Sequence, residues 1–186
     1  MVVDIETTGF RRSDRILEIG ICRLDTTNQS YFEIFNRVIR PPEFETGMYW
    51  GCWVLKNSTL TVKDIQGARP LRAYRHELDE IFRTNIVAAF NADFDLEFLR
   101  RAGFEFQQVA PDPMLVLTPI LQLSGPWGQN KWPKFQEAWD CVFNHEIRAK
   151  ERMPYYVEAH RAYDDALHEA MLINEMVKRG WYSINN

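Results

Sequence analysis

The spacing of apolar residues changes along the chain, and each change of period marks an element. Met1-Val2-Val3-Asp4-Ile5 is apolar and largely β-branched, which predicts a strand buried on both faces and central in a sheet. Residues 16–24 predict a second strand, with Leu17, Ile19 and Ile21 on one face, and residues 31–39 a third that ends at Pro41-Pro42. Polar turns at 10–15 and 26–29 join them, so an antiparallel meander is expected. The period then lengthens: Leu71, Tyr74, Leu78, Ile81 and Phe82 fall near helical spacing within 70–83. Residues 86–90 read as a short buried strand. It runs into a helix with Asp93 as N-cap, a buried stripe of Phe94, Phe98, Leu99 and Ala102, and Gly103 as its close. Further helices are expected from Met114 within 111–123, over 134–143, and as a long amphipathic helix within 155–178. In the last, Ala166, Ala170, Ile173 and Val177 recur at i, i+4, i+7 and i+11. Residues 144–151 read as a connection. The segment 43–63 is too apolar for a free loop and is expected to pack across the core or the site. The loop 125–133 carries Trp127 and Trp132, for which base stacking and burial against helices both stay open.

This order of strands and helices predicts an α/β fold with a mixed sheet covered by helices. At 186 residues, 46% hydrophobic and 26% charged, the chain fits a single soluble globular domain, residues 1–186. Its net charge of −4 argues against nucleic-acid binding through bulk positive charge. It leaves room for an enzyme that neutralises phosphates with metal ions and a few local arginines. Cys22, Cys52 and Cys141 lack zinc or disulfide spacing, so a reducing, cytoplasmic setting is expected. No apolar run approaches the roughly 18 residues of a membrane helix. The strand at Met1 leaves no space for a leader, although it would also suit a domain cut from a longer protein.

Into the first strand the sequence sets two carboxylates, Asp4 and Glu6. Strand side chains alternate, so both face the same side near the carboxyl end. Held a few ångströms apart they repel each other and resist burial, and a divalent cation relieves both costs. Oxygen ligands favour Mg²⁺ or Mn²⁺ over zinc. Thr7, Thr8 and Gly9 then end the strand, with Gly9 expected to turn sharply and admit a substrate backbone. Arg11, Arg12 and Arg15 follow, placed for phosphate contact or simply solvated. Asp95 lies in the first turn of a helix, and Asp164-Asp165 open the final one. His160 precedes Asp165 by five residues, so the two share no helix stripe if both are helical; if His160 instead lies on the loop entering the helix, it can hang over a metal that Asp165 binds.

Three stretches, Asp4-Ile5-Glu6-Thr7-Thr8-Gly9, Asn91-Ala92-Asp93-Phe94-Asp95 and His160-Arg161-Ala162-Tyr163-Asp164-Asp165-Ala166, occur in this order at wide separations. Together they resemble the three motifs of the DEDDh 3′→5′ exonucleases, a ribonuclease H-like group that includes the proofreading subunit of bacterial DNA polymerase III. The resemblance implies a mixed five-stranded sheet flanked by helices. It also implies two divalent ions held by Asp4, Glu6, Asp95 and Asp165, with His160 as general base and Thr7, Thr8, Gly9, Asn91 and Phe94 near the substrate. Such a pair of ions clamps the attacking and leaving oxygens of a phosphodiester. The implied activity is release of nucleoside monophosphates from single-stranded 3′ ends, DNA favoured, with RNA-directed cleavage or a catalytically weak binding module as alternatives. The acids alone would also permit a metal phosphohydrolase acting on nucleotides. Phe90-Asn91 stands where the family often has His-Asn. Residues 131–138 look like a segment of polymerase-associated members, which points to a polymerase or other nucleic-acid-processing assembly as partner, and to no membrane.

Overall fold

The computed structural model describes residues 1–143 and 159–184. Three strands, β1 (Val2–Thr7), β2 (Ile16–Asp25) and β3 (Ser30–Val38), form an antiparallel sheet in the order β1-β2-β3. A parallel pair, β4 (Ile86–Val87) and β5 (Gln108–Val109), adjoins it. The join is a parallel bridge from Val2 to Ala88, in which the Val3 amide donates to the Ala88 carbonyl at 2.9 Å. β1 therefore lies between β2 and the β4 segment, central as its apolar sequence predicts. The five strands fall into a sheet of three and a pair rather than one regular sheet of five. β5 is exposed, which is why no apolar pattern announced it.

Alternation in β1 sorts the core. Val3 and Ile5 face one side, packing with Ile19, Ile21 and Phe35 against α3 (Arg75–Thr84) and α4 (Ala92–Arg101) through Leu78, Phe82, Leu96 and Leu99. Val2 faces the other, where Cys22 meets Ala166, Ala170 and Ile173 of α7 (Ala162–Lys178). α5 (Pro113–Leu121) and α6 (Phe135–Phe143) complete that second layer through Leu117, Trp139 and Val142. The segment 43–63 does pack down. Phe44, Tyr49, Val54 of α1 (Trp53–Asn57) and Leu60 join Ile65 of α2 (Val62–Gly67) over Leu17. The result is a three-layer, ribonuclease H-like α/β fold. Among the described residues no helix is long and apolar enough to cross a membrane. The connection expected at 144–151 lies almost wholly outside the described residues.

Two expectations about helix and turn chemistry are corrected. Asp93 does not cap α4. The helix starts two residues earlier, at Ala92, because Asn91 adopts a left-handed conformation (φ 62°), and Asp112 accepts from the amides of Asn91 at 3.1 Å and Ala92 at 2.9 Å. The same carboxylate accepts from Met114 at 2.8 Å, so it caps α4 and α5 together. Gly9, for its part, is not in the left-handed region; a Cβ there would stand 2.8 Å from the Asp14 carboxylate, so its smallness makes room for that side chain.

Gly20 of β2 carries the tightest approach in the fold. A Cβ there would fall 2.2 Å from the Ala162 carbonyl carbon and the Tyr163 amide, at the start of α7. Backbone atoms cannot give way as a flexible side chain would. Gly20→Ala is expected to destabilise the protein by at least about 1–3 kcal/mol, the usual cost of overpacking, read as a melting temperature lower by several degrees. An unchanged melting temperature would mean that α7 shifts freely over the sheet.

Candidate active site

β1 brings Asp4 and Glu6 to the face covered by α7, opposite Gly20 and Glu18 of β2 in the strand register. Close helix packing at Gly20 sets the first turn of α7 over these acids. Asp95, in the first turn of α4, reaches the same point from the sheet edge, where the Ile5 amide donates to its Oδ1 at 3.1 Å. Asp165, in the first turn of α7, is buried and accepts from the Arg161 amide at 3.2 Å. His160 lies on the loop just before α7, the placement that lets it stand over Asp165, with a left-handed backbone (φ 49°) and Trp53 edge-to-face at 4.6 Å, centroid to centroid. All five side chains line one open cavity of about 600 Å³. Ligand atoms of Glu6, His160 and Asp165 lie within 4.8 Å of one another, a possible metal site; Asp4 and Asp95 line the same cavity but fall outside this tight group.

A sixth titratable group, Glu169, shares the cavity and was not singled out from the sequence. It stands one turn beyond Asp165 on α7, and its Oε2 accepts from the Phe90 amide at 3.1 Å, tying α7 to the segment that leads into α4. The i, i+4 spacing was visible, but only the fold brings that helix face over Phe90. Glu18 was missed as well. It is 1% exposed and grips the Arg161 guanidinium through Nε (3.0 Å) and Nη2 (2.6 Å), while its Oε2 accepts from the Ala162 amide at 3.2 Å. Arg161 also reaches the Thr59 hydroxyl at 3.0 Å. This buried, bidentate pair fixes the loop from which His160 projects.

The turn residues bond chiefly within the turn. Thr7 donates to the Gly9 carbonyl at 2.8 Å, and Thr8 donates to Asp14 at 3.0 Å while accepting from the Arg15 amide at 2.9 Å. These contacts build the turn, and neither threonine nor Gly9 lines the acidic cavity. Asn91 and Phe94 do line it. So does Phe10, 86% exposed and 5.7 Å from Phe94 between ring centroids, together with Trp53 and Trp132. Trp127 and Trp132 are exposed, at 89% and 66%, which settles the burial alternative against both.

Crowding shows in the protonation equilibria. Burial first, then the charges of Asp95, Glu169, Asp165 and Glu6, holds Asp4 well above the usual carboxylate range. Burial pushes Asp95 up to about 8, against the lowering effect of the Ile5 amide. Burial and Asp95 raise Glu169 likewise. A carboxyl whose pKa is raised on folding binds more protons folded than unfolded, so its stabilisation is present below the unfolded value and lost as pH rises through the folded one. In chelator, the melting temperature is therefore expected to fall by about 5 °C or more between pH 5 and pH 8.5. Millimolar Mn²⁺ should recover most of that loss. A melting temperature rising over this window would show that the acids are not crowded. The donor set fits divalent cations, because closely packed carboxylates repel one another and are costly to bury together unless positive charge enters.

The family model for exonucleases matches residues 1–173, and the chain belongs to that exonuclease family of phosphodiester hydrolases. No curated protein matches the chain in sequence. Among solved structures, cell-death related nuclease 4 (CRN-4) is 15% identical over 96% of this chain, with a TM-score of 0.66; the chain spans 63% of its length. Exonuclease X in complex with 5′ overhanging duplex DNA is 16% identical over 98% of this chain and 93% of its own, with a TM-score of 0.62. The nuclease domain of 3′hExo, a DEDDh family member bound to rAMP, is 14% identical over 100% of this chain and 94% of its own, with a TM-score of 0.56. All three share the fold.

Proposed function

We propose that the chain is a 3′→5′ exonuclease that removes nucleoside monophosphates from single-stranded ends, DNA favoured, with two Mg²⁺ or Mn²⁺ ions. The observation that carries this reading is the convergence of Asp4, Glu6, Asp95, His160 and Asp165, from three distant parts of the sequence, on one open cavity. Asp4, Glu6, Asp95 and Asp165 would hold the ions, which when bound supply charge neutralisation to the reacting phosphate. His160 accepts a proton from the attacking water, whose oxygen bonds to phosphorus as the P–O3′ bond breaks. The departing 3′ oxygen takes a proton from solvent. Glu18 and Arg161 position His160 by holding its loop against β2. Phe10 and Phe94 on one part of the rim, with Trp53 and Trp132 also lining the cavity, offer faces on which bases stack.

The test is degradation of matched 5′-labelled DNA and RNA strands in Mg²⁺, Mn²⁺ or chelator. Stepwise ladders shortening from the 3′ end, faster on DNA and absent in chelator, are expected. Cleavage of free nucleotides alone, or endonucleolytic fragments, would overturn the reading.

A further inference from the structure

A second groove lies away from the acidic cavity and has the opposite character. About 320 Å³ in volume, it has an apolar floor that includes Ile39, Leu71 and Phe104, and its lining contains Arg15, Arg40, Arg72 and Arg75 with no acidic side chain. In a chain of net charge −4, four guanidinium groups around one apolar floor form a local positive patch. Three of the four are partly committed: Arg75 to Asp79 at 2.7 Å and to the Ala102 carbonyl at 3.1 Å, Arg40 to the Gln66 carbonyl at 3.2 Å, and Arg15 to the Ser13 carbonyl at 2.5 Å. Arg72 is exposed and makes no hydrogen bond to the described residues.

The groove reaches toward the site through a second cavity, although no residue lines both that cavity and the acidic one. Arg15 lines both it and a neighbouring cavity of about 610 Å³, which also includes Thr8 at the end of β1 and Cys52 beside Trp53 of the acidic cavity. Asp14 and Glu43 stand in this middle cavity, so phosphate contacts concentrate at its two ends. α4 runs the same way, with Asp95 at the acids and Ala102, just beyond its last turn, at the groove. Seven residues of helix span about 10 Å, or roughly three nucleotides at 3.4 Å each.

We propose that this arginine groove binds the backbone of the substrate strand upstream of the end being cleaved. A guanidinium pairs with a phosphate through two parallel hydrogen bonds, and the apolar floor takes the flat face of a base. The proposal rests on the exonuclease reading and adds a length requirement to it: strands of three nucleotides or fewer fill the acidic cavity alone, and longer ones gain the groove. An acidic peptide shares the charge but has no reason to continue into a cavity shaped around a phosphodiester end.

The test measures binding of fluorescent phosphorothioate oligonucleotides of 3 and 12 nucleotides, with kcat and KM on their cleavable counterparts, for the unmodified protein, Arg72→Ala and Arg72→Glu. Arg72→Ala is expected to raise Kd for the 12-mer about 3- to 10-fold, and Arg72→Glu more. The slope of log K against log salt should lose about 0.7 in Arg72→Ala, one phosphate contact on a single strand. Binding and turnover of the 3-mer should not change. An unaltered 12-mer Kd in both variants, or equal losses on 3-mer and 12-mer, overturns the proposal. So does displacement of the labelled 12-mer by a 12-residue oligoglutamate as effectively as by unlabelled 12-mer. If no strand is cleaved but the length-selective effect of Arg72 persists, the groove stands and the exonuclease reading falls. If ladders form without any effect of Arg72, the reverse holds.

Discussion

Replacing Asp4 with asparagine is expected to lower exonuclease turnover at least 10³-fold while leaving the protein folded. The loss follows from the proposed role, since charge stabilisation by a bound ion is worth several kcal/mol and each 1.36 kcal/mol is tenfold in rate. The folding outcome follows from the surroundings. Asp4 accepts no hydrogen bond from the described residues, and buried acids crowd it: Asp95, Glu169, Asp165 and Glu6 all raise its pKa after burial itself. Asparagine keeps the shape and removes one of the repelling charges. In chelator at pH 8, the variant should melt at the same temperature as the unmodified protein or a few degrees higher. With Mn²⁺ the order should invert, because the variant binds the ion more weakly and gains less from it. Undiminished turnover in Mg²⁺ would remove Asp4 from the site. A large loss of stability in chelator would instead make its carboxylate a structural group.

What could be read of this site from the sequence is what depends on local period. Two acids at i and i+2 on a strand must share a face, and the register with β2 shows that face turned to α7. The spacing of His160 from Asp165 excluded a shared helix stripe but left its placement open, and the structure sets it before α7. Contacts that join distant segments left no such trace. Glu18 meets Arg161 across 143 positions and Glu169 meets Phe90 across 79, and neither acid has a local pattern that separates it from a solvated one. Gly20 looked like a strand glycine, yet its role is set by helix backbone pressed against it. The error at Asp93 has the same origin. A carboxylate at a helix start is a good cap by propensity, but Asp112, arriving from another loop, already serves those amides. The motif likewise does not show that Thr7 would bond the Gly9 carbonyl, or that Asp14 would take the Thr8 hydroxyl and the space at Gly9.

Substitution of His160 separates two roles that the geometry brings close. Its ring lies with Glu6 and Asp165 in a group whose ligand atoms fall within 4.8 Å, so it could coordinate an ion or take the proton from water. The proposal gives it the second role, since four carboxylates already match two dications in charge. His160→Ala should then lower turnover by about 10²–10⁴-fold, the usual worth of a positioned general base, with Mn²⁺ affinity within about threefold of the unmodified protein. The left-handed backbone at this position complicates alanine, which is strained at φ 49°. Asparagine tolerates that conformation better, so His160→Asn holds the loop while removing the imidazole. Equal rate losses in the two variants would place the effect in the chemistry rather than in the loop. A full recovery in His160→Asn would place it in the loop. The pH profile adds a second reading. An imidazole that has taken up a proton cannot accept another, so the rate of the unmodified enzyme should fall on the acid side, measured at saturating Mg²⁺. Both variants should lack that limb and gain rate steadily with hydroxide concentration. If the variants instead lose Mn²⁺ affinity in proportion to turnover, His160 is a ligand. If they keep the acid limb, the proton goes elsewhere, and His160 serves the packing of its loop, the contact with Trp53 included.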